Sequence, residues 1–146
     1  MSVDVMTDTV INRPIAEVAA FASDPGNAPE WYANIRSVEW ETPPPVAPGS
    51  RMAFVATFLG RTLSYTYEVT ELVPEQRLVM RTAEGPFPMQ TTYTWEAQRA
   101  DRTRMTLRNT GDPKGFARLG APVVAVAMRR AMTKDLARLK QVLEAR

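Results

Sequence analysis

Residues 116–144 carry one long helical pattern, which constrains the fold of this chain more than any other feature. Apolar side chains recur there at steps of three and four residues, the period of an α-helix with one buried face. They are Phe116, Leu119, Val123, Val124, Met128, Met132, Leu136, Leu139 and Leu143. At about 1.5 Å per residue, such a helix extends about 43 Å, enough to cross a small domain. Pro122 lies inside the pattern and should kink or break the helix near its first turns.

A different pattern precedes the helix. Five stretches alternate apolar and polar side chains with period two, as half-buried strands do. We predict strands over residues 50–59, 61–72, 76–83, 89–97 and 103–110. Because only short turns separate them, these strands should form an antiparallel meander.

The first fifty residues add two strands and two short helices. We predict strands over residues 3–12 and 35–41, with helices over residues 15–23 and 27–35 between them. The proline-rich segment 42–50 cannot supply enough amides to join a sheet interior, so it should be a loop. The sequence therefore predicts an α+β fold with about seven strands, two short helices after the first strand, and a long C-terminal helix.

The order of these elements predicts a cavity. An antiparallel sheet with one apolar face needs a cover, and only the C-terminal helix is long enough to provide it. The sheet must therefore curl around that helix. We expect such a curved sheet to leave space between itself and the helix that its own side chains do not fill.

Composition limits the chemistry. The 146 residues predict a single domain over residues 1–146, with 45% apolar and 23% charged residues and a net charge of +2. Dispersed charge of this size argues against nucleic-acid binding. Cysteine and histidine are absent, which removes thiolate sites and the Ser-His-Asp and Cys-His catalytic arrangements. The catalytic residues of any enzyme made from this chain are therefore unknown at this stage.

Several expectations follow on location and partners. The N-terminus has no basic region followed by an apolar stretch, so we expect no signal peptide. The apolar run at residues 120–128 is far shorter than the ~20 residues that a membrane span requires. We expect a cytoplasmic protein without stable membrane insertion, a monomer or homodimer, with no metal and no cofactor.

Three segments point to a family: INRPIAEVAAFASDP followed by EWYANI near the start, GRTLSYTYEVTELVPEQRLVMRT in the middle, and TRMTLRNTGDPKGFARLGAPVVAVAMRRAMTKDLARLKQVLEA at the end. In order and wording they resemble the START/Bet v 1-like (SRPBCC) superfamily, in its polyketide cyclase/dehydrase-like branch, over nearly the full chain. The resemblance implies a helix-grip fold, with a deep cavity between the sheet and the last helix. It specifies no activity, because the branch has no shared catalytic signature.

The candidate site residues come from the strand pattern read in that fold. In residues 61–70, the apolar phase includes two tyrosines, and a buried phenol without a partner costs roughly 1–3 kcal/mol. A cavity would give these hydroxyls a use. The resemblance implies that the inward face lines the cavity, through Phe54, Phe58, Tyr65, Tyr67, Met80, Tyr93, Trp95 and Asn109 from the sheet and Phe116, Val124 and Met128 from the helix. A register slip of one residue would turn the side chains of these strand residues to the opposite face of the sheet.

Three functions remain open from the sequence. The first is binding of a hydrophobic small molecule, polyketide-, lipid- or terpenoid-like, in the cavity. The second is a cyclase/dehydratase-type enzyme without histidine or cysteine, in which Tyr65, Tyr67 or Tyr93 donates a proton or holds an enolate. No inward carboxylate pair can be placed from the sequence, which weakens this hypothesis. The third is a protein-interaction module with a filled interior.

Overall fold

The computed structural model describes residues 2–146, apart from the side chain of residue 117, and shows one seven-stranded antiparallel sheet. The strands are β1 (Val3–Ile11), β2 (Ile35–Trp40), β3 (Arg51–Phe58), β4 (Arg61–Val73), β5 (Arg77–Glu84), β6 (Met89–Arg99) and β7 (Arg102–Gly111). Their order across the sheet is β1-β7-β6-β5-β4-β3-β2. The predicted strand bounds are confirmed to within two residues.

In the described part of the chain, three α-helices complete the fold: α1 (Ile15–Ser23), α2 (Ala28–Trp31) and α3 (Ala121–Glu144). A short 3₁₀ helix, Pro25–Asn27, joins α1 to α2. Because β1 and β2 lie at opposite edges of the sheet, α1 and α2 carry the chain from one edge to the other. The curled sheet, the short helices after β1 and the long last helix confirm the predicted α+β helix-grip fold.

Helix α3 covers the concave face of the sheet. Its 24 residues span about 36 Å. The side chains that it buries are Val124, Met128, Met132, Asp135, Leu136, Leu139 and Leu143. All except Asp135 are apolar and follow the predicted helical period, so the apolar stripe determines which side of the helix meets the sheet. No helix of the described residues is both long and apolar enough to cross a membrane.

The predicted start of the long helix at residue 116 is wrong. Residues Lys114–Leu119 form a 3₁₀ helix that is interrupted at Phe116, and α3 begins only at Ala121. Gly120 separates the two segments with a φ of 82°, a left-handed conformation that suits glycine. Pro122 then occupies the first turn of α3, where its missing amide hydrogen breaks no helical bond. Proline thus sets the beginning of the helix and does not kink its interior.

The predicted phase of β4 holds in the structure. Leu63, Tyr67 and Val69 are buried, and Tyr65 is half-buried on the same face. Two irregularities in the β4–β5 pairing follow, at Thr66/Tyr67 and at Val69/Glu71. Such bulges add local bend and twist, and they lie in the long strand that curves around α3.

Candidate functional site

An internal cavity of about 140 Å³ lies between α3 and the sheet. The residues that matter most for its chemistry are Phe58, Leu63, Tyr65, Tyr67 and Asn109 from the sheet, Tyr32 and Asn34 from the segment after α2, and Met128, Met132 and Asp135 from α3. A second cavity of about 90 Å³ adjoins it. Both are lined by Tyr32, Tyr65, Tyr67 and Asn109, so these polar side chains lie where the two spaces adjoin.

The structure brings together most, but not all, of the residues predicted for this site. Phe58, Tyr65, Tyr67, Asn109 and Met128 line the larger cavity. The smaller cavity is lined by Tyr65, Tyr67 and Asn109 again, and in addition by Phe54, Met80 and Tyr93.

Three predicted residues line neither cavity: Trp95, Phe116 and Val124 are packed in the core. Phe116 makes edge contacts with Phe58 and Phe87, at centroid distances of 5.3 and 6.1 Å. The resemblance implied that Phe116 lines the cavity, but it lies in the 3₁₀ segment ahead of α3 and packs against these two rings.

A chain of hydrogen bonds lies along the wall of the smaller cavity. The Thr91 hydroxyl donates to Oδ1 of Asn109 over 2.7 Å, and the Tyr67 hydroxyl lies 2.8 Å from the same threonine oxygen. Since threonine has one hydroxyl proton and gives it to Asn109, Tyr67 must donate its own proton to Thr91. The Tyr67 phenol is therefore satisfied within the protein and cannot also donate to a ligand.

A second pair of phenols lies close by. The hydroxyls of Tyr32 and Tyr93 are 2.6 Å apart, so one donates to the other. The hydroxyl proton of the accepting tyrosine takes no part in this hydrogen bond. The rings are held in place by Trp31, whose centroid is 4.1 Å from that of Tyr32 and 5.7 Å from that of Tyr93.

Tyr65 differs from the other three tyrosines. Its ring stacks on Phe54 at 5.5 Å and meets Tyr67 edge-on at 5.1 Å. Within residues 2–146, its hydroxyl has no hydrogen-bond partner, and the side chain lines both cavities. Tyr65 is thus a fixed aromatic ring with a free donor and acceptor at the cavity wall.

Burial keeps these phenols neutral. Loss of hydration raises the pKa of Tyr67 to about 12. Burial also raises the pKa values of Tyr32, Tyr65 and Tyr93 well above the usual 10. At neutral pH, all four groups are therefore hydrogen-bond donors and acceptors and do not act as bases.

Among the described residues, Asp135 is the one carboxylate that lines the larger cavity. Its side chain is 3% exposed, and Oδ1 accepts a hydrogen bond from the Ala33 amide over 3.1 Å. Burial raises the pKa of Asp135 to about 6, and the Ala33 amide opposes that rise. No ion pair in residues 2–146 compensates its charge. A carboxyl group that gains and loses its proton near pH 6 can act as an acid or a base at physiological pH.

Sequence reasoning did not find Asp135, Thr91 or Tyr32 as site residues. Asp135 is three residues after Met132 and seven after Met128, so the helical period already places it on the apolar stripe. A carboxylate on the apolar face of a helix is a signal in the sequence that could have identified Asp135 as a buried polar residue. Thr91 shares the inward phase of Tyr93 in β6, whereas the contact of Tyr32 with Tyr93 depends on how α2 packs.

Nothing in the described residues suggests a metal site. No group of three or more histidine, cysteine, aspartate or glutamate side chains comes together in residues 2–146. The polar side chains that line the larger cavity carry phenols, threonine hydroxyls, amides and one carboxyl. This set can orient a ligand by hydrogen bonds and can move one proton.

Comparison with known proteins agrees with this architecture. The family model for polyketide cyclase/dehydrase and lipid transport proteins matches residues 2–144. No curated protein sequence matches the chain significantly.

Solved structures share the fold at low sequence identity. TTHA0849 from Thermus thermophilus is 21% identical with a TM-score of 0.83, and the match covers 98% of each chain. The Zhui aromatase/cyclase from Streptomyces sp. R1128 is 14% identical with a TM-score of 0.81, over 99% of this chain and 94% of that one. A START superfamily protein from Mycobacterium smegmatis is 14% identical with a TM-score of 0.73, over 97% and 94%.

Proposed function

We propose that this chain, which belongs to the family of polyketide cyclase/dehydrase and lipid transport proteins, binds an oxygen-bearing hydrophobic small molecule between the sheet and α3. The ligand is polyketide-, lipid- or terpenoid-like. The observation that carries the proposal is an unfilled, mostly apolar cavity into which Tyr65 presents a hydroxyl without a partner and Asp135 presents a carboxyl. Apolar walls with a few convergent polar groups are the usual form of a small-molecule site.

The size of the cavity limits what it holds without rearrangement. A space of about 150 Å³ accommodates one benzene-sized ring in a protein interior, and the larger cavity has about 140 Å³. Burying about 150 Å² of a ring at 25 cal/mol per Å² yields about 4 kcal/mol, equivalent to a Kd near 1 mM. A ligand that binds tightly must therefore also reach the neighbouring space, or displace side chains.

A neutral fluorescent dye tests binding directly. N-phenyl-1-naphthylamine should become brighter when titrated with the protein, because one of its rings enters the larger cavity while the others occupy the neighbouring space. Ala131 lines the larger cavity, so Ala131→Phe should reduce dye affinity at least tenfold. Val123 is 51% exposed on the same helix and lines neither internal cavity, so Val123→Phe is the matched control and should bind normally. No dye binding by the natural protein, or equal loss in both variants, would contradict the proposal.

The free hydroxyl supplies a second test of the same proposal. Tyr65→Phe should weaken binding of 1-naphthol more than binding of naphthalene, since only the naphthol can form a hydrogen bond with the Tyr65 hydroxyl. Tyr67→Phe is the control, because the Tyr67 hydroxyl already bonds to Thr91. If the two substitutions change the naphthol-to-naphthalene preference equally, Tyr65 is not a ligand contact.

A second candidate function is an enzyme of the cyclase/dehydratase type, and Asp135 is the observation that favours it. One of the structures with the same fold is an aromatase/cyclase. In a dehydration, the Asp135 carboxylate would remove a proton from the carbon next to a substrate carbonyl, while Tyr65 donates a hydrogen bond to the enolate oxygen. The β-hydroxyl group would then leave as water by taking the proton back from Asp135, so the enzyme returns to its starting state.

Asp135→Asn separates the two functions. The amide cannot move the proton, so dehydration of a β-hydroxy ketone should slow at least a hundredfold, whereas dye binding should change less than threefold. In the natural protein, the rate should rise with pH through about 6, as the carboxyl becomes a base. Turnover that persists in the variant would show that Asp135 is not the catalytic acid or base. If neither protein turns over the substrate, ligand binding remains as the only proposed function.

A further inference from the structure

An outer cleft lies directly outside the cavity. It is open to solvent and has about 740 Å³. Asn34, Phe58, Ala131 and Asp135 line both this cleft and the internal cavity. These four residues lie at the boundary between the two spaces, which we call the neck, between α3 and the segments that carry Asn34 and Phe58.

The cleft is basic. Arg130 and Lys134 lie one turn apart on α3, both are exposed, and both line the cleft. Neither forms an ion pair within residues 2–146. Arg129 also lines the cleft, but its guanidinium donates to the Met6 carbonyl over 2.9 Å.

Acidic groups do not balance this charge. Residues 113–134 contain no aspartate or glutamate. Of the residues that the structure describes, Asp135 is the single acidic one in the lining of the cleft, and it is buried at the neck. The solvent side of the cleft therefore presents two unpaired cations, with apolar Leu59 and Val126 beside them.

We propose that the outer cleft is an anion subsite and that the natural ligand is an amphipathic anion. Its apolar part passes through the neck into the cavity, and its carboxylate or phosphate remains in the cleft, in contact with Arg130 and Lys134. This inference rests on the proposed function and adds the class of ligand. It also accounts for a cavity that is too small for tight binding, because the outer cleft supplies further contact area and charge pairing.

The experiment compares two ligands that differ only in their head group. Bound N-phenyl-1-naphthylamine is displaced at about pH 7 by decanoate or by decanol, which have equal chain lengths. Exposed ion pairs are individually weak, so two of them should make decanoate bind roughly five- to tenfold more tightly at low salt. Screening should remove most of that preference at about 1 M salt.

Variants assign the preference to the cleft. Arg130→Gln combined with Lys134→Gln should lower decanoate affinity to that of decanol while leaving dye and decanol binding unchanged. Arg36→Gln combined with Arg99→Gln removes the same charge from exposed positions outside the cleft and should leave the preference intact. Because all four side chains are exposed, both double variants should fold.

Each outcome has a defined meaning. Equal displacement by decanoate and decanol in the natural protein, or a preference that survives in the Arg130/Lys134 variant, would overturn the anion subsite but not the proposed function. Displacement by acetate or inorganic phosphate at decanoate concentrations would also overturn it, because a free-anion site needs no apolar part. Absence of dye binding would instead remove the proposed function and this inference with it.

Discussion

Asp135→Asn should change the pH dependence of stability in a way that the buried carboxyl alone can cause. The side chain is 3% exposed, and its single protein hydrogen bond comes from the Ala33 amide. Asparagine has nearly the same size and keeps an oxygen that accepts this bond. The substitution therefore removes the ionisation and leaves the packing in place.

The magnitude follows from the two pKa values. Folding raises the pKa of Asp135 from 3.8 to about 6. Between these values, the folded protein holds a proton that the unfolded chain has released, so stability is lost as the pH rises through this window. A difference of about two pH units, at about 1.36 kcal/mol each, corresponds to about 3 kcal/mol once the pH is well above 6. The variant does not undergo this loss.

Urea unfolding of both proteins between about pH 4 and pH 8 measures the effect. The free energy of unfolding of the variant, minus that of the natural protein, should increase by about 3 kcal/mol over this range, with most of the change between about pH 4 and 6.5. Asp4 and Glu144, whose pKa values are lowered by their partners, are the same in both proteins and cancel. Asp101→Asn, in the exposed β6–β7 turn, is the control and should show no such rise. A constant difference at every pH would refute the reasoning.

Three further substitutions test the packing. Leu139→Ala should lower the free energy of unfolding, measured in urea, by about 2–5 kcal/mol, because Leu139 is 0% exposed and its truncation leaves a cavity. Val123→Ala, on the outer side of α3, is the control and should lower it by less than about 0.5 kcal/mol. Gly111→Ala should lower the free energy of unfolding by about 1–3 kcal/mol, since its Cβ would lie 2.5 Å from the Pro88 carbonyl oxygen; an unchanged value would show that the chain moves aside freely. Tyr67→Phe should cost about 1–2 kcal/mol by leaving the Thr91 oxygen without its donor, and equal stability would mean that water replaces the phenol.

Local patterns predicted most elements of this fold to within two residues, although the helix predicted over residues 27–35 ends at Trp31. A period of two or of about 3.6 residues is a property of neighbouring positions, so it can be read before any long-range contact is known. The strand bounds and the face of β4 were correct for this reason. The predicted start of α3 was wrong because the apolar spacing continues through Phe116 and Leu119. Gly120 and Pro122 instead determine where helical hydrogen bonding begins.

The sequence by itself determined the helix-grip fold and the inward phase of Tyr65, Tyr67 and Asn109. Only the tertiary structure decided which polar groups meet: Tyr32 and Tyr93 are 61 positions apart, and Ala33 and Asp135 are 102 apart. The physical reason is that burial of a face follows from local periodicity, whereas a hydrogen-bond partner, a pKa and an unfilled volume depend on how closely distant elements approach. These contacts between distant elements determine that the Tyr67 hydroxyl is hydrogen-bonded, that the Tyr65 hydroxyl has no partner within residues 2–146, and that Asp135 lines the cavity.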